Sequence, residues 1–326
     1  TPSNVLLYAH EYLRVIFGGI LCTMAYNIAA SILRSLGDSR TPLYFLILSS
    51  FLNIVLDIFF IATLHMGTAG AAWATVLSQG ISALLCFWYM FHNYNNLRLS
   101  IRDLYPDPYR ILCMIQSGIP MALNQTVTAF GIMILQSGIN QFGSSVMAAY
   151  TAASKLESLV MQPMIALGSG ISTYCAQNIG ARKTKRIFVG VRSTMLLSLG
   201  AAILGMALYG IASKAILRIF LSDPSPEMVH YALQYLYTSV WFLLFLAWIF
   251  LFRNALVGLG NGLITIIGGV AELLCRFLCI HFLLQPFGFW CICLTNPITW
   301  IVACSLFCGF YFRWEHQQKH CSKSAR

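Results

Sequence analysis

Long apolar runs dominate this sequence and decide the solvent in which it can fold. Hydrophobic residues make up 58% of the 326 residues and charged residues only 9%, whereas a soluble domain carries about 25% charged residues. A soluble fold could not bury so much apolar surface, and each run of about 20 apolar residues can cross a bilayer as a helix. We therefore expect an all-α polytopic membrane protein with about nine transmembrane helices, at residues 11–33, 42–64, 68–91, 110–137, 145–177, 187–212, 229–256, 262–286 and 289–312.

Basic residues concentrate in every second loop, which predicts the orientation of the chain. Loops rich in Lys and Arg stay on the cytoplasmic side of a membrane. The first span should then enter from outside, and the basic C-terminal tail should be cytoplasmic, in a multi-pass protein of the cell membrane. The residues that carry this pattern are Arg34, Arg40, Arg98, Arg102, Arg110, Arg182, Lys183, Lys185, Arg186, Arg313, Lys319, Lys323 and Arg326.

An internal repeat indicates a two-lobed transporter. Tyr12 begins a span that ends in Leu36-Gly37-Asp38, and 223 residues later Tyr235 begins a span that ends in Leu259-Gly260-Asn261. Repeats of this kind build transporters around a central site. We expect residues 1–104 to form the C-terminal half of a first lobe and residues 105–326 a second lobe of six helices. The same offset places about three helices upstream of Thr1, so the expected whole is a twelve-helix protein of which this chain is an N-terminally truncated part.

Asp57 is the strongest candidate for a functional residue. It lies inside an apolar span, where an ionised group is costly and marks a functional site by default. Asp57 and Thr75 are each seven residues from the outer ends of adjacent spans, about 10 Å deep at 1.5 Å per residue. Asn53 lies one helical turn deeper on the same face. The three side chains offer hard oxygen ligands for Na⁺, or a proton relay. With the 223-residue offset their counterparts in the second copy are not acidic, so we expect one such cation site.

The remaining charges in the spans suggest structural roles. Glu272 and Arg276 are spaced i, i+4 with the acid first, which predicts a structural ion pair, with a role in binding substrate as the alternative. Lys155 and Glu157 cannot face each other on a helix, so each should have a partner on a neighbouring span. No catalytic motif and no metal-ligand spacing is evident in the sequence. We therefore expect a protein that is not an enzyme and has no cofactor, with Na⁺ at Asp57 as the one candidate ion.

Three segments, in this order and spacing, resemble the multidrug and toxic compound extrusion (MATE) family of cation-coupled exporters. They are AASILRSLGDSRTP from Ala29 to Pro42, GTAGAAWATVLSQ from Gly67 to Gln79, and AAYTAASKLESLVMQPMIALGSGISTYCAQNIGARKTKR from Ala148 to Arg186. The resemblance covers the whole chain as helices four to twelve. It implies two six-helix lobes around a central cavity.

The resemblance also carries residue roles. In family members with a cation site in the first lobe, an Asn and an Asp four apart on helix five and a Thr on helix six form it, and Asn53, Asp57 and Thr75 match those positions. The acid that this site takes from helix one is not in this sequence. Other members have an acid on helix seven, where this chain has instead Asn124, Gln125 and Thr128. These three are candidates for the substrate cavity, with interhelical hydrogen bonding as the alternative.

The resulting expectation is an antiporter that exports amphipathic organic cations or drugs by alternating access, driven by Na⁺ or H⁺. Its partners would be a small organic cation and the lipid bilayer, with no nucleic acid, and the protein would be monomeric. A lipid-linked sugar flippase of the same superfamily is one alternative. A membrane fragment without transport activity is the other.

Overall fold

The computed structural model describes residues 3–94, 105–220 and 225–324, and nearly all of them are helical. The chain divides into two compact units, Thr1–Pro106 (unit 1) and Asp107–Arg326 (unit 2). The predicted lobe boundary between residues 104 and 105, and the basic residues Arg98, Arg102 and Arg326, fall outside the described residues. That the units are the two lobes of a transporter stays a prediction.

Unit 1 consists of four helices with a sharp bend after the first. The axes of the first two helices meet at 46° around Gly19. A Cβ atom at Gly19 would lie 2.3 Å from the Val76 side chain, so the glycine allows the bend to pack directly on the fourth helix. The helices are α1 (Ser3–Gly18), α2 (Ile20–Ser35), α3 (Arg40–Ile58) and α4 (Gly67–Asn93).

Unit 2 contains eight helices, several of which follow one another with only a short irregular turn between them. They are α5 (Pro108–Ile139), α6 (Ser144–Gly180), α7 (Thr184–Phe220), α8 (Pro226–Ser239), α9 (Leu243–Gly258), α10 (Leu263–Leu278), α11 (Leu284–Phe287) and α12 (Phe289–Ser324).

The protein is an all-α multi-pass membrane protein, but the predicted count of nine spans is not confirmed. Within the described residues, seven helical segments are long and apolar enough to cross a membrane, and the bent pair α1–α2 makes an eighth if it forms one span. Each of the nine predicted spans coincides with helix. The span predicted at 145–177 lies in α6, which is not among the seven. Its polar residues, including Lys155, Glu157 and Gln162, dilute the apolar character of the helix.

The helices of unit 2 pack closely because small residues lie where they cross, as is usual in membranes. A Cβ atom at Gly258 would lie 2.3 Å from the carbonyl oxygen of Ser172, and one at Gly268 would lie 2.1 Å from the Phe307 ring. Phe307 itself is fully buried. The backbone of α9 therefore touches the backbone of α6, and the backbone of α10 lies directly against the Phe307 ring of α12.

The internal repeat is also visible in the backbone. The helix α3 continues into a π-helical segment, Phe59–Thr63, and α10 continues into another, Cys279–Leu283. Glycines with positive φ follow both segments, Gly67 at 56° and Gly288 at 54°. The two units therefore share an irregular feature that hydrophobic periodicity cannot reveal.

This correspondence adjusts the residue pairing between the copies. The π-helical segments are 220 residues apart, three fewer than the offset predicted from sequence. They pair Asp57 with Phe277 and Asn53 with Leu273, whereas the 223-residue offset pairs them with Ile280 and Arg276. Neither Phe277 nor Leu273 is ionisable, so the second copy still lacks the carboxylate of the first.

Candidate functional site

The side chains of Asn53 and Thr75 meet between α3 and α4 in unit 1. The Asn53 Nδ2 group donates to Thr75 Oγ1 over 3.5 Å, and the Thr75 hydroxyl donates to the carbonyl oxygen of Ala71 over 3.0 Å. Both side chains are half-buried. The amide oxygen of Asn53 is the acceptor that this arrangement leaves for another donor or for a cation.

Asp57 lies one helical turn beyond Asn53 on α3 and is also half-buried. Its Oδ1 atom is inaccessible to solvent and has no hydrogen-bond partner among the described residues. A buried oxygen without a partner is costly in an apolar environment. A proton or a small cation would remove that cost, and carboxylate, amide and hydroxyl oxygens suit a hard cation. Asn53, Asp57 and Thr75 therefore fit a Na⁺ or proton site by their chemistry, and that role stays a prediction.

A second acidic residue of unit 1, Asp38, organises the turn between α2 and α3. Its Oδ1 atom accepts a hydrogen bond from the Thr41 amide at 3.0 Å, and Oδ2 accepts from the Tyr94 hydroxyl at 3.5 Å. Burial alone would raise the pKa of Asp38, but hydrogen bonds from Thr41, Arg40 and Tyr94 outweigh it and lower that pKa below its ordinary value. Asp38 holds the end of α4 against the turn as a carboxylate.

In unit 2, Glu272 and Arg276 lie next to each other on α10. The Arg276 Nη2 and Glu272 Oε2 atoms are 3.6 Å apart, and both side chains are buried. A Cβ atom at Gly131 would lie 2.8 Å from Arg276 Nη1, so the arginine lies directly on the backbone of α5. Arg276 Nε and Nη1 have no hydrogen-bond partner in the described part of the chain. A purely structural role for the pair stays a prediction.

The three candidates for the substrate cavity have different surroundings. Asn124 is buried and donates to the carbonyl oxygen of Thr265 over 2.6 Å, which links α5 to α10. This contact is the interhelical hydrogen bond that the sequence left open as an alternative. Gln125 is exposed on unit 2 and Thr128 is half-buried, with a hydroxyl that has no partner among the described residues. A role of these residues in binding cargo stays a prediction.

A buried polar cluster around Glu157 was not predicted as a site. The Tyr235 hydroxyl donates to Glu157 Oε2 over 2.6 Å, and Asn296 Nδ2 donates to the Tyr235 hydroxyl over 2.8 Å. Glu157 does have its partner on a neighbouring helix, as its isolation from Lys155 indicated, but that partner is a tyrosine. Tyr235 and Asn296 carry no charge, so no pattern in the sequence indicates that they meet the glutamate.

The family model for MatE matches residues 1–59 and 120–287. The chain belongs to the MatE family. Both matched stretches include residues of the repeat, and the first contains Asn53 and Asp57.

Relatives and solved structures are similar to this MatE chain over most of its length. The probable multidrug resistance protein YpnP of Bacillus subtilis (strain 168) is 32% identical over 236 residues, which cover 72% of this chain and 52% of the relative. An FAD transporter of Shewanella oneidensis (strain MR-1) is 25% identical, with 58% of this chain and 42% of that protein covered.

A solved structure of MATE in the bent conformation superimposes with a TM-score of 0.86 at 21% identity. The superposition covers 100% of this chain and 72% of the solved chain. At that identity the likeness shows the fold alone. The chain spans about half the length of the curated relatives that it matches.

Proposed function

We propose that this MatE chain forms part of an ion-coupled antiporter that exports amphipathic small molecules by alternating access. The observation that carries the proposal is the unpartnered, buried Asp57 Oδ1 atom beside the Asn53–Thr75 contact. A carboxylate that alternately binds and releases Na⁺ or H⁺ would couple an ion gradient to the opening and closing of the transporter. Relatives named for multidrug resistance and for FAD transport support small organic molecules as cargo.

Organic cations are the cargo that the family resemblance implies, and we propose them as the first class to test. The alternative flippase of lipid-linked sugars would need several cationic side chains along its cavity. In unit 2, Arg276 is buried beside Glu272 and is therefore not available to an anionic lipid. Lys155 is exposed, but one such side chain is fewer than the several that a flippase would need. This distribution favours the exporter.

The test uses the complete gene product in proteoliposomes, with ethidium as the exported cation and an imposed sodium or proton gradient. Asp57→Asn should abolish gradient-driven export while leaving insertion intact, because an amide keeps the shape of the carboxylate but neither carries its charge nor exchanges its proton. Asn53→Ala and Thr75→Ala each remove one neutral ligand and should weaken coupling less.

Glu227→Gln is the matched control, because it removes an exposed acid at the start of α8. It should leave both the rate and its ion dependence unchanged. Export by Asp57→Asn with normal dependence on both ions would refute the site. Loss of that variant from the membrane would instead show that Asp57 is a structural carboxylate.

A further inference from the structure

A groove runs along the outside of unit 2 between the antiparallel helices α6 and α7. Its volume is about 830 Å³, and apolar atoms form most of its surface. Val189 and Leu197 on one wall are 65% and 60% exposed, so the walls face outward and are not filled by the unit itself. Other residues that line it are Pro163, Gly170, Tyr174 and Gly190.

Two glycines and a tyrosine shape the groove. A Cβ atom at Gly170 would meet nothing within 4 Å, so the missing side chain leaves open space in the floor. At Gly190 a Cβ atom would lie 2.2 Å from the Tyr174 ring, so the ring packs directly against the backbone of α7. The Tyr174 hydroxyl donates to the carbonyl oxygen of Arg186 over 3.2 Å. Tyr174 thus fixes the end of the groove nearest the turn between the two helices.

That turn is strongly cationic. Arg182, Lys183, Lys185 and Arg186 are all exposed, and in the described ranges none of them forms an ion pair. The sequence has no acidic residue anywhere between Glu157 and Asp223. The positive charge at this end of the groove is therefore not neutralised by the helices that form it.

The length of the groove matches one leaflet of a bilayer. On α6 it extends from Tyr174 to Pro163, and on α7 from Val189 to Leu197. At 1.5 Å per residue it begins about 8 Å from the cationic turn and ends about 26 Å from it on α6 and about 20 Å from it on α7, so its length is about 12–17 Å. The hydrocarbon of one leaflet is about 15 Å thick. An acyl chain whose phosphate lies beside the turn would run along the groove, because the groove is about as long as the hydrocarbon of one leaflet is thick.

We propose that the groove between α6 and α7 binds an anionic phospholipid of the leaflet next to the cationic turn. The acyl chain lies against Gly170 and Val189, and the phosphate meets Lys183, Lys185 and the two arginines beside them. Anionic lipids gather at clusters of Lys and Arg next to membrane helices. A zwitterionic lipid fits the same apolar groove but does not satisfy the turn, so charge gives the site its selectivity.

The experiment measures lipids retained by the complete gene product. The protein is transferred into detergent from nanodiscs that contain equal amounts of phosphatidylglycerol and phosphatidylcholine. Native mass spectrometry counts the bound molecules of each lipid, and a titration with each lipid gives its affinity. We expect one phosphatidylglycerol to bind about ten-fold more tightly than phosphatidylcholine. Gly170→Leu fills the groove and should abolish this binding, whereas Gly210→Leu, at an equally open glycine on α7 outside the groove, should not.

The charge is tested separately, so that a folding defect in one variant does not end the test. Lys183→Gln with Lys185→Gln should remove the preference for phosphatidylglycerol, and Arg110→Gln, a charge at another helix start, should not. Equal retention of both lipids by the unmodified protein would overturn the proposal. Unchanged phosphatidylglycerol binding in Gly170→Leu would also overturn it. If that variant bound phosphatidylglycerol normally but exported ethidium poorly, the groove would be a path for cargo and not a lipid site.

Discussion

Replacing Tyr235 by Phe tests whether the buried cluster around Glu157 holds unit 2 together. The substitution removes one hydroxyl and leaves the ring in place. Two hydrogen bonds are lost with it, the donation to Glu157 Oε2 at 2.6 Å and the donation from Asn296 Nδ2 at 2.8 Å. Both former partners stay inside the unit, where Tyr235 is fully buried and Glu157 is 6% exposed.

The two contacts set the expected size of the effect. A hydrogen bond to a charged group contributes about 1.5–3 kcal/mol and a neutral one about 0.5–1.5 kcal/mol, while buried side-chain hydrogen bonds inside membranes average about 0.6 kcal/mol. Between these limits we expect Tyr235→Phe to lower the free energy of unfolding by about 2 kcal/mol. Glu157→Gln combined with Tyr235→Phe should cost less than the sum of the two single changes, because the same contact is removed in both.

Tyr209→Phe provides a matched control. Tyr209 is also fully buried, but its hydroxyl has no hydrogen-bond partner among the described residues, so removing it should cost little or stabilise the unit. Reversible unfolding of each variant in mixed micelles, with dodecyl sulfate as the denaturant and circular dichroism as the readout, gives the free energies. Equal effects of the two substitutions would refute the reasoning, since only one of the hydroxyls makes contacts to lose.

Three further predictions concern packing, pH and topology. Gly268→Ala should lower the free energy of unfolding by about 1–3 kcal/mol, because its methyl group would overlap the Phe307 ring, and Gly309→Ala on the open side of α12 should change it little. The pKa of Asp38 is lowered in the folded state, so Asp38 should stabilise the turn at pH values above its unfolded pKa. This contribution should disappear as the pH falls through the folded pKa. The free energy of unfolding of Asp38→Asn should therefore be less sensitive to acid in this range. With Thr184→Cys in a protein without other cysteines, an impermeant thiol reagent should fail to label intact cells, and labelling there would reverse the predicted orientation.

Hydrophobic periodicity predicts the helices of this chain well, but not their irregularities. A long apolar run predicts a span because a backbone in lipid has few alternatives to a helix. It does not give the bend at Gly19, which depends on a close approach to Val76 in another helix. It also overestimates how apolar α6 is, because a helix that packs on three neighbours can carry polar residues that lipid would exclude.

The candidate site shows the same division. Depth along two adjacent helices, counted from their ends, brought Asp57 and Thr75 to one level with Asn53 one turn deeper, whereas the side chain that contacts Thr75 in the structure is Asn53, over 3.5 Å. Counting along helices cannot give the rotation of each helix about its axis. That rotation decides that Asn124 bonds to Thr265 across 141 residues of chain and that Glu157 meets Tyr235, neither of which has a local signature.

The paired π-helical segments bear on the ancestry of the chain. Such a segment arises when a single residue is inserted into an α-helix without breaking it. The insertion occurs at matching places in both copies, Phe59–Thr63 and Cys279–Leu283, although the residues around it have diverged as far as Asp57 and Phe277. The simplest history has the extra residue in place before the ancestral gene doubled. The two halves would then have inherited a common backbone device, and only one of them retained or acquired a carboxylate beside it.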